Sequence, residues 1–258
     1  MIDRFTLRRK LGILLGFSPT TLLKTVIGAP YFVGSVRKYQ SLNRNDSFRI
    51  SVQNLFPILS DRGDSAGVAE GHYFHQDLWA ARKIFKSAPR RHIDIGSRVD
   101  GFVAHLLVFM PVTIIDIRQL DSRIPDLHFV RDNATELSQL PSDSVESLSS
   151  LHAAEHFGLG RYSDPIDPAA CFKFMNALQR VLAREGNLYF SVPVGHERVE
   201  FNAHRIFAPQ TIIDNFSPLR LVSFSYVGDD GCLYEDAEPA AAARCDYGCG
   251  LFHFTKPS

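Results

Sequence analysis

From Arg91 to its end, this 258-residue chain alternates short apolar segments with amphipathic ones, and this alternation constrains the fold more than any other feature. The apolar segments have the length of strands, and helical spacing of apolar residues separates several of them. Such alternation predicts an α/β domain with a mainly parallel sheet. The predicted strands are residues 92–95, 112–115, 127–130, 145–151, 187–192, 220–227 and 250–256. No helix separates the last two, so we expect an antiparallel hairpin at the sheet edge.

The helices of this domain are predicted from the same pattern. One begins near Gln76 or Asp77, a second spans residues 169–183, and a short third spans 209–216. Residues 1–70 predict an N-terminal helical and loop-rich extension, and residues 71–258 predict the α/β domain. Within the extension, we expect helix to about residue 45, breaks at Pro19 and 28–30, and a short strand at 49–52.

The extreme N-terminus is basic and then apolar, as in a secretory signal, but no small-residue cleavage site follows cleanly. A basic amphipathic helix on a membrane surface is an alternative. A helix that packs on the domain is favoured over that membrane contact. The apolar runs are too short to span a bilayer, and we expect a cytoplasmic protein.

Charge and cysteine content narrow the function classes. The 28 basic and 28 acidic residues balance, so the composition does not favour a nucleic-acid partner. The four cysteines fit a reducing compartment better than a disulfide framework. Cys232, Cys245, Cys249 and His253 suggest zinc, but their spacing is unlike common structural zinc sites. Structural cysteines are therefore favoured, and no metal is predicted.

The turn after the first predicted strand carries the first candidate binding residues. Asp94, Gly96 and Ser97 follow the apolar strand, and Gly101 precedes a helix-like run. Glycines permit a tight turn and close approach of a ligand, although they also occur in turns without function. The spacing is neither G-x-G-x-x-G nor a P-loop, so dinucleotide and Walker motifs are excluded.

Asp116 ends the second predicted strand, about twenty residues after the glycine turn. Ligands of open parallel sheets lie beyond the carboxyl ends of the strands. An acid at this position suits hydrogen bonds from both ribose hydroxyls. The alternative, that Asp116 only caps a helix, is less favoured.

The order of these elements resembles class I S-adenosylmethionine-dependent methyltransferases. Phe129–Leu137 resembles their third motif, Ser150–His156 their fourth-strand segment, and Ala177–Leu188 their helix-turn-strand. The resemblance implies a Rossmann-like methyltransferase fold: a mostly parallel seven-stranded sheet with an antiparallel last strand. It implies S-adenosylmethionine as cofactor, with Asn133 accepting from the adenine amino group and the Ala134 N–H donating to a ring nitrogen.

A narrower resemblance is to domain of unknown function 268. It rests on residues 155–167, on Pro193-Val194-Gly195 and on residues 202–207. The first motif departs from the methyltransferase pattern, because Arg98 and Asp100 stand where glycines are usual. Their side chains would crowd the methionine part of the cofactor or contact it, and Arg98 would then pair with its carboxylate.

Candidate catalytic residues follow the fourth and fifth predicted strands. For a hydroxyl acceptor, His156, His204 and His196 are candidate general bases, because histidine titrates near neutrality. Glu155, beside His156 in the Glu-His segment, is a further catalytic candidate. Arg161, Arg198 and Arg205 are candidate ligands for a phosphate or carboxylate on the acceptor. A structural hydrogen bond is the alternative role for each histidine.

These features predict a methyltransferase that acts on a small-molecule or glycan acceptor. Two alternatives remain: a non-catalytic methyltransferase-like interaction protein, and another Rossmann-like nucleotide-sugar enzyme. The crowded first motif favours the former, and the missing dinucleotide motif disfavours the latter.

Overall fold

The computed structural model describes residues 19–59, 61–162 and 164–258. They divide into two compact units, one ending at Val68 and one beginning at Ala69. The basic N-terminal segment lies before residue 19, so the predictions about it fall outside the described residues. The predicted helix break at Pro19 falls at the first described residue.

In the part of the first unit that the structure describes, one long helix, α1 (Pro19–Leu42), runs through Pro30. The predicted break at residues 28–30 is therefore wrong. Gly28 has a different role there, because a Cβ would lie 2.5 Å from the carbonyl oxygen of Leu59. The glycine lets the chain approach the helix closely rather than ending it.

The strand predicted at residues 49–52 is also wrong, since 3₁₀ turns flank it at Asp46–Phe48 and Val52–Asn54. Side-chain oxygens satisfy the backbone there: Asn45 accepts from Ser47 N at 3.0 Å, and Asn54 accepts from Ser51 N at 2.7 Å. Such local bonds compete with pairing in a sheet. No helix among the described residues is long and apolar enough to cross a membrane.

The second unit is built on one sheet that has eight strands in its described residues. Its strands are β1 (His92–Ile95), β2 (Val112–Asp116), β3 (Leu127–Arg131), β4 (Val145–Leu151), β5 (Leu182–Val194), β8 (Arg220–Val227), β9 (Leu233–Tyr234) and β10 (Gly248–Thr255). A separate antiparallel pair comprises β6 (Arg198–Glu200) and β7 (His204–Ile206).

The strand order is β3-β2-β1-β4-β5-β10-β8-β9. The first five strands are parallel, and β10 is antiparallel to both β5 and β8. The predicted mostly parallel sheet with an antiparallel last strand is confirmed. The predicted number of seven strands is low by one, because the two-residue β9 was not expected.

The predicted antiparallel pairing of β8 with β10 is confirmed, but the predicted position of this pair at the sheet edge is wrong. β10 inserts between β5 and β8, so β8 and the short β9 form that edge. The reason is burial: the central segment of β10 carries apolar residues on both faces, as a strand inside a sheet does. β5 is also longer than predicted, because it begins at Leu182, directly after the preceding helix.

Helices cover both faces of this sheet. They are α2 (His72–Ser87), α3 (Ala104–Leu106, after a π-helical turn at Val99–Val103), α4 (Ala170–Val181), α5 (Pro209–Asn215) and α6 (Pro239–Ala242). On one face, α4 contributes Phe174 and Leu178 to the core, and on the other, α2 contributes Trp79 and Ile84. Each side chain of this size stabilises the fold by about 1.5–3 kcal/mol when buried.

α2 begins at His72, one turn before the start predicted near Gln76. Its apolar face begins at Leu78, so apolar spacing alone detects only the later turns. The chain enters the helix at Gly71, whose positive φ of 83° sets the direction of the first turn. That early turn carries His72 and Tyr73 to the site described below.

A buried polar chain joins β1 to β4. His92 is fully buried, with Nδ1 2.8 Å from Ser147 Oγ and Nε2 2.8 Å from Ser149 Oγ. The Ser149 hydroxyl donates to Asp94, so it accepts from His92, and Nε2 carries the ring proton. Burial lowers the pKa of His92 to about 3, and the ring is neutral in the folded protein.

We predict that His92 makes stability depend on pH. Its pKa is about 3 when folded and 6.5 when unfolded, so acid protonates the unfolded chain first. Its stabilising contribution is complete above pH 6.5 and is lost as pH falls toward 3. Urea unfolding from pH 7 to 4 should show that wild type loses free energy of unfolding relative to His92→Gln, by up to about 1.4 kcal/mol per pH unit. A pH-independent difference between the two proteins would contradict this.

Candidate functional site

A cleft of about 940 Å³ opens at the carboxyl ends of β1, β2 and β4. Its volume lies near the upper end of the range for small-molecule sites. Of the residues predicted from the sequence, it is lined by Gly96, Ser97, Arg98, Asp116, Asn133, Ala134 and His156. Asp94, Gly101, Glu155 and His204 lie behind or beside the cleft rather than in its wall.

Asp94 fixes the turn that forms one wall of the cleft. Its fully buried carboxylate accepts from Ser97 Oγ at 2.6 Å, Ser97 N at 3.1 Å and Ser149 Oγ at 2.5 Å. Ser97 Oγ also accepts from Leu151 N at 2.9 Å. Burial raises the pKa of Asp94 to about 6, although the hydrogen bonds from Ser149 and Ser97 oppose that rise. Asp94 therefore shapes the turn without facing a ligand.

Gly96 occupies the tightest position of this turn. Its φ is 72°, in the left-handed region, and a Cβ would lie 3.0 Å from that of Ala153. Its N–H donates to Ile115 O at 3.2 Å, which joins the turn to β2. Gly101 lies deeper, with Asp77 Oδ2 only 2.5 Å from where its Cβ would be. Only the first of these glycines is exposed to the cleft.

Arg98 and Asp100 form an ion pair within the turn. The guanidinium donates to both carboxylate oxygens, at 3.1 and 2.9 Å, and lies 5.0 Å from the ring centre of Tyr73. The two side chains are 52% and 75% exposed. Both residues line the cleft, so the ion pair borders the space that a glycine-rich loop would leave open.

Asp116 faces the cleft from the end of β2, and its partner there is Arg118. Arg118 donates to it through N, Nε and the terminal nitrogen, at 2.8, 3.0 and 2.6 Å. The Arg118 guanidinium also lies 4.7 Å from the ring centre of Tyr162. Both carboxylate oxygens are therefore oriented so that a ligand with two adjacent hydrogen-bond donors can bind them together.

Asn133 and Ala134 lie beside β3 at the adjoining wall. Asn133 Oδ1 accepts from Thr135 N at 3.1 Å and from Thr135 Oγ1 at 2.9 Å, so this side chain stabilises its own turn. The Ala134 N–H donates to no group among the described residues and is free for a ligand.

Glu155 and His156 follow β4 in a 3₁₀ turn (Ala154–His156). His156 Nδ1 lies 2.7 Å from Ala203 O, which can only accept, so this nitrogen carries the proton and Nε2 the lone pair. Burial lowers the pKa of His156. Its Nε2 lies 3.7 Å from Glu155 Oε1. The tautomer and protonation state suit a proton acceptor at Nε2.

His204, on β7, does not line the cleft, but its ring centre is 6.5 Å from that of His156. Its Nε2 lies 3.5 Å from Glu200 Oε2.

Two of the predicted anion ligands, Arg205 and Arg198, are engaged elsewhere. Arg205 donates to Phe157 O at 2.7 Å, and Arg198 forms ion pairs with two acids. His196 does not line the cleft. Of the predicted anion ligands, Arg161 donates to Ala203 O beside His156.

A histidine that was not among the predicted site residues also lines the cleft. His152 lines the cleft, has a φ of 51°, and places Nδ1 2.7 Å from Glu155 Oε1. Burial alone would lower its pKa, but Cys249 and Glu155 raise it well above the usual value. His152 in turn lowers the pKa of Glu155 against the opposing effect of burial. Its position three residues before Glu155 could have indicated this role from the sequence. Its contact with Cys249 could not, because the two residues are far apart along the chain.

Residues 111–227 match the family described as "Caenorhabditis protein of unknown function, DUF268". The match confirms the family resemblance seen in the sequence. No curated protein matches the chain in sequence.

Solved structures with the same fold include methyltransferases. The Burkholderia thailandensis 1,6-didemethyltoxoflavin-N1-methyltransferase, with that compound and S-adenosylhomocysteine bound, is 14% identical over 71% of this chain and 79% of its own (TM-score 0.50). The N-methyltransferase NodS from Bradyrhizobium japonicum, in complex with S-adenosylhomocysteine, is 12% identical over 88% of this chain and 99% of its own (TM-score 0.51). The [4+2]-cyclase SpnF is 13% identical over 93% of this chain and 97% of its own (TM-score 0.52). The predicted Rossmann-like methyltransferase fold is confirmed.

We predict that Gly96→Ala destabilises the protein by about 2 kcal/mol, because a non-glycine residue in the left-handed region costs about 1–2 kcal/mol and the new methyl group crowds Ala153. Gly34→Ala is the control: this glycine lies inside α1 and its Cβ would meet nothing within 4 Å. Alanine is the better helix former, so the control should be neutral or stabilising. Urea unfolding of both variants checks this, and equal stabilities would contradict it.

Proposed function

We propose that this protein is an S-adenosylmethionine-dependent methyltransferase that acts on a small-molecule acceptor. The observation that supports this most is Asp116, a carboxylate at the end of β2 that faces the cleft across from the Gly96 turn. Acids at this place in open α/β sheets accept hydrogen bonds from ribose hydroxyls. The two structures that contain S-adenosylhomocysteine share the fold and lend support.

The cleft residues fit this cofactor at three points. Asp116 offers two oxygens to the ribose hydroxyls, which would take the place of Arg118. The free N–H of Ala134 suits a ring nitrogen of adenine. Gly96, without a side chain, lets the turn approach the rest of the cofactor. A glycan or sugar acceptor stays a prediction from the sequence, and the cleft has room for a small acceptor beside the cofactor.

When bound, S-adenosylmethionine supplies an electrophilic methyl group. The protein aligns an acceptor with that group and removes a proton where the acceptor is a hydroxyl. His156 suits proton removal, because its Nε2 carries a lone pair beside the cleft while Nδ1 is held by Ala203 O. Tyr73 and Tyr162 provide aromatic walls for a planar acceptor. His204 lies outside the cleft, with its ring centre 6.5 Å from that of His156, and is not assigned a step.

We predict that S-adenosylmethionine and S-adenosylhomocysteine bind in the micromolar range by calorimetric titration. Asp116→Asn should weaken both by roughly 10- to 100-fold, since hydrogen bonds to charged groups contribute about 1.5–3 kcal/mol. Asp121→Asn is the matched control: this acid lies in the same loop, outside the cleft wall, and should change nothing.

Absence of heat with either compound, in a sample with intact circular dichroism, would refute cofactor binding and leave the non-catalytic alternative. Binding of NADH in the same cell would favour the nucleotide-sugar alternative. Binding without conversion to S-adenosylhomocysteine by any acceptor would point to other chemistry on this fold, since fold alone does not fix the reaction.

A further inference from the structure

Three side chains with metal-binding atoms meet beside the cleft: His72, His152 and Cys249. One potential ligand atom from each lies within 4.8 Å of the other two. They come from the first turn of α2, the end of β4 and the start of β10, so three separate elements converge. Within the described ranges, no other group of histidine, cysteine or acidic residues meets this criterion.

His152 directs its second ring nitrogen, Nε2, toward this group, and a bound cation would take the place of the proton on that nitrogen. Its Nδ1 faces the ionised Glu155 carboxylate at 2.7 Å and therefore carries a proton. Its Nε2 is buried and has no nitrogen or oxygen partner among the described residues. Besides Glu155, the neighbour that interacts most with this ring is the Cys249 side chain. A thiol is a weak hydrogen-bond partner, so a cation held between the ring and the sulfur would be a stronger partner for Nε2.

His72 is oriented in the same manner. Its Nε2 lies 3.1 Å from Tyr247 O, and a carbonyl oxygen only accepts, so Nε2 carries the proton. Nδ1 is left with the lone pair that binds a cation. The ring stacks on that of His152, with centroids 5.2 Å apart and planes 17° apart. Backbone and carboxylate partners thus hold one nitrogen of each ring, as they do behind metal-binding histidines.

Cys249 completes the group from the sheet. It is fully buried, and its sulfur has long contacts of 3.8 Å to Gln76 Oε1 and 3.9 Å to Gly250 O, besides its interaction with His152. A thiol in such surroundings has little to gain from hydrogen bonds, whereas as a thiolate it binds soft or borderline cations strongly.

We propose that His72, His152 and Cys249 bind a zinc ion, with the fourth position open toward the cleft. Two imidazoles and one thiolate suit zinc, and three protein ligands with an open position are typical of catalytic rather than structural sites. Bonds of about 2.0–2.3 Å place tetrahedral ligands roughly 3.4–3.8 Å apart, so side-chain shifts of about 1 Å complete the site. Glu155 orients His152 from behind.

The open position would face the same cleft, because His152 is part of its wall. Zinc there would bind an oxygen or sulfur atom of a second molecule and lower its pKa. The zinc site itself does not rest on the proposed methyl transfer, and its test uses zinc and cobalt alone.

The experiment is metal titration of the chelator-treated, reduced full-length protein. We expect one zinc per chain by elemental analysis, and cobalt substitution should give the thiolate-to-cobalt charge-transfer band. His72→Phe keeps an aromatic ring on His152, removes the ligand nitrogen at the least buried member of the group, and should weaken zinc binding more than 100-fold. Glu155→Gln should weaken it by roughly 10- to 100-fold. Cys249→Ala should abolish the cobalt band.

Cys245→Ala is the matched control, because this buried cysteine lies four residues earlier and outside the group. It should keep zinc binding and the cobalt band. Circular dichroism verifies the fold of each variant, and His72→Phe decides the question if Cys249→Ala does not fold. Failure of wild type to bind zinc, or unchanged binding in folded His72→Phe, would overturn the proposal. A cobalt spectrum without the thiolate band would do the same.

Discussion

The buried carboxylate of Asp94 is the interaction on which the rest of the site depends. It holds the Gly96 turn by accepting hydrogen bonds from the backbone N–H and the hydroxyl group of Ser97. It holds β4 by accepting a hydrogen bond from the hydroxyl group of Ser149. Ser97 Oγ then accepts from Leu151 N, one residue before His152. The Gly96 turn, which we propose contacts the cofactor, and His152, which we propose binds zinc, are thus both positioned by the buried Asp94 carboxylate. Burying an acid is unfavourable, and the three donors offset that cost.

Parallel strands explain why so much chemistry lies at one edge. β1, β2 and β4 run in one direction, so Asp94, Asp116 and His152 come at neighbouring strand ends. The antiparallel β10 begins at this same edge, which is why Cys249 joins them despite lying 97 residues beyond His152. The first turn of α2 adds His72 from before β1. One edge therefore collects residues from the start, middle and end of the second unit.

Local patterns in the sequence predicted most of the sheet, because each strand is a short apolar run with a clear end. They also predicted the residues that directly follow those strands, such as Gly96 and Asp116. The predictions failed where contacts between residues far apart in the sequence determine the structure. For example, α1 continues through Pro30, and β10 inserts between two other strands. The cluster of His72, His152 and Cys249 was missed for the same reason. Pairing Cys249 with His253 considered only neighbours along the chain, whereas its histidine partners lie 97 and 177 residues earlier.

Polar groups around the cleft fall into two energetic classes. Arg98–Asp100 and Arg118–Asp116 are ion pairs between residues two apart, with both arginines about half exposed. The Arg98–Asp100 pair is exposed and contributes little to stability. Asp116 is only 16% exposed and accepts three hydrogen bonds from Arg118, so a ligand that offers hydroxyls to Asp116 has to replace those bonds. His152 Nε2 differs, since it is buried and has no nitrogen or oxygen partner, with the Cys249 side chain as its neighbour. The exposed pair tolerates an exchange of partners, whereas the buried nitrogen and the thiol together suit a cation. The exposed pair formed by Arg98 and Asp100 can change partners when a ligand enters the cleft, so these two departures are compatible with cofactor binding.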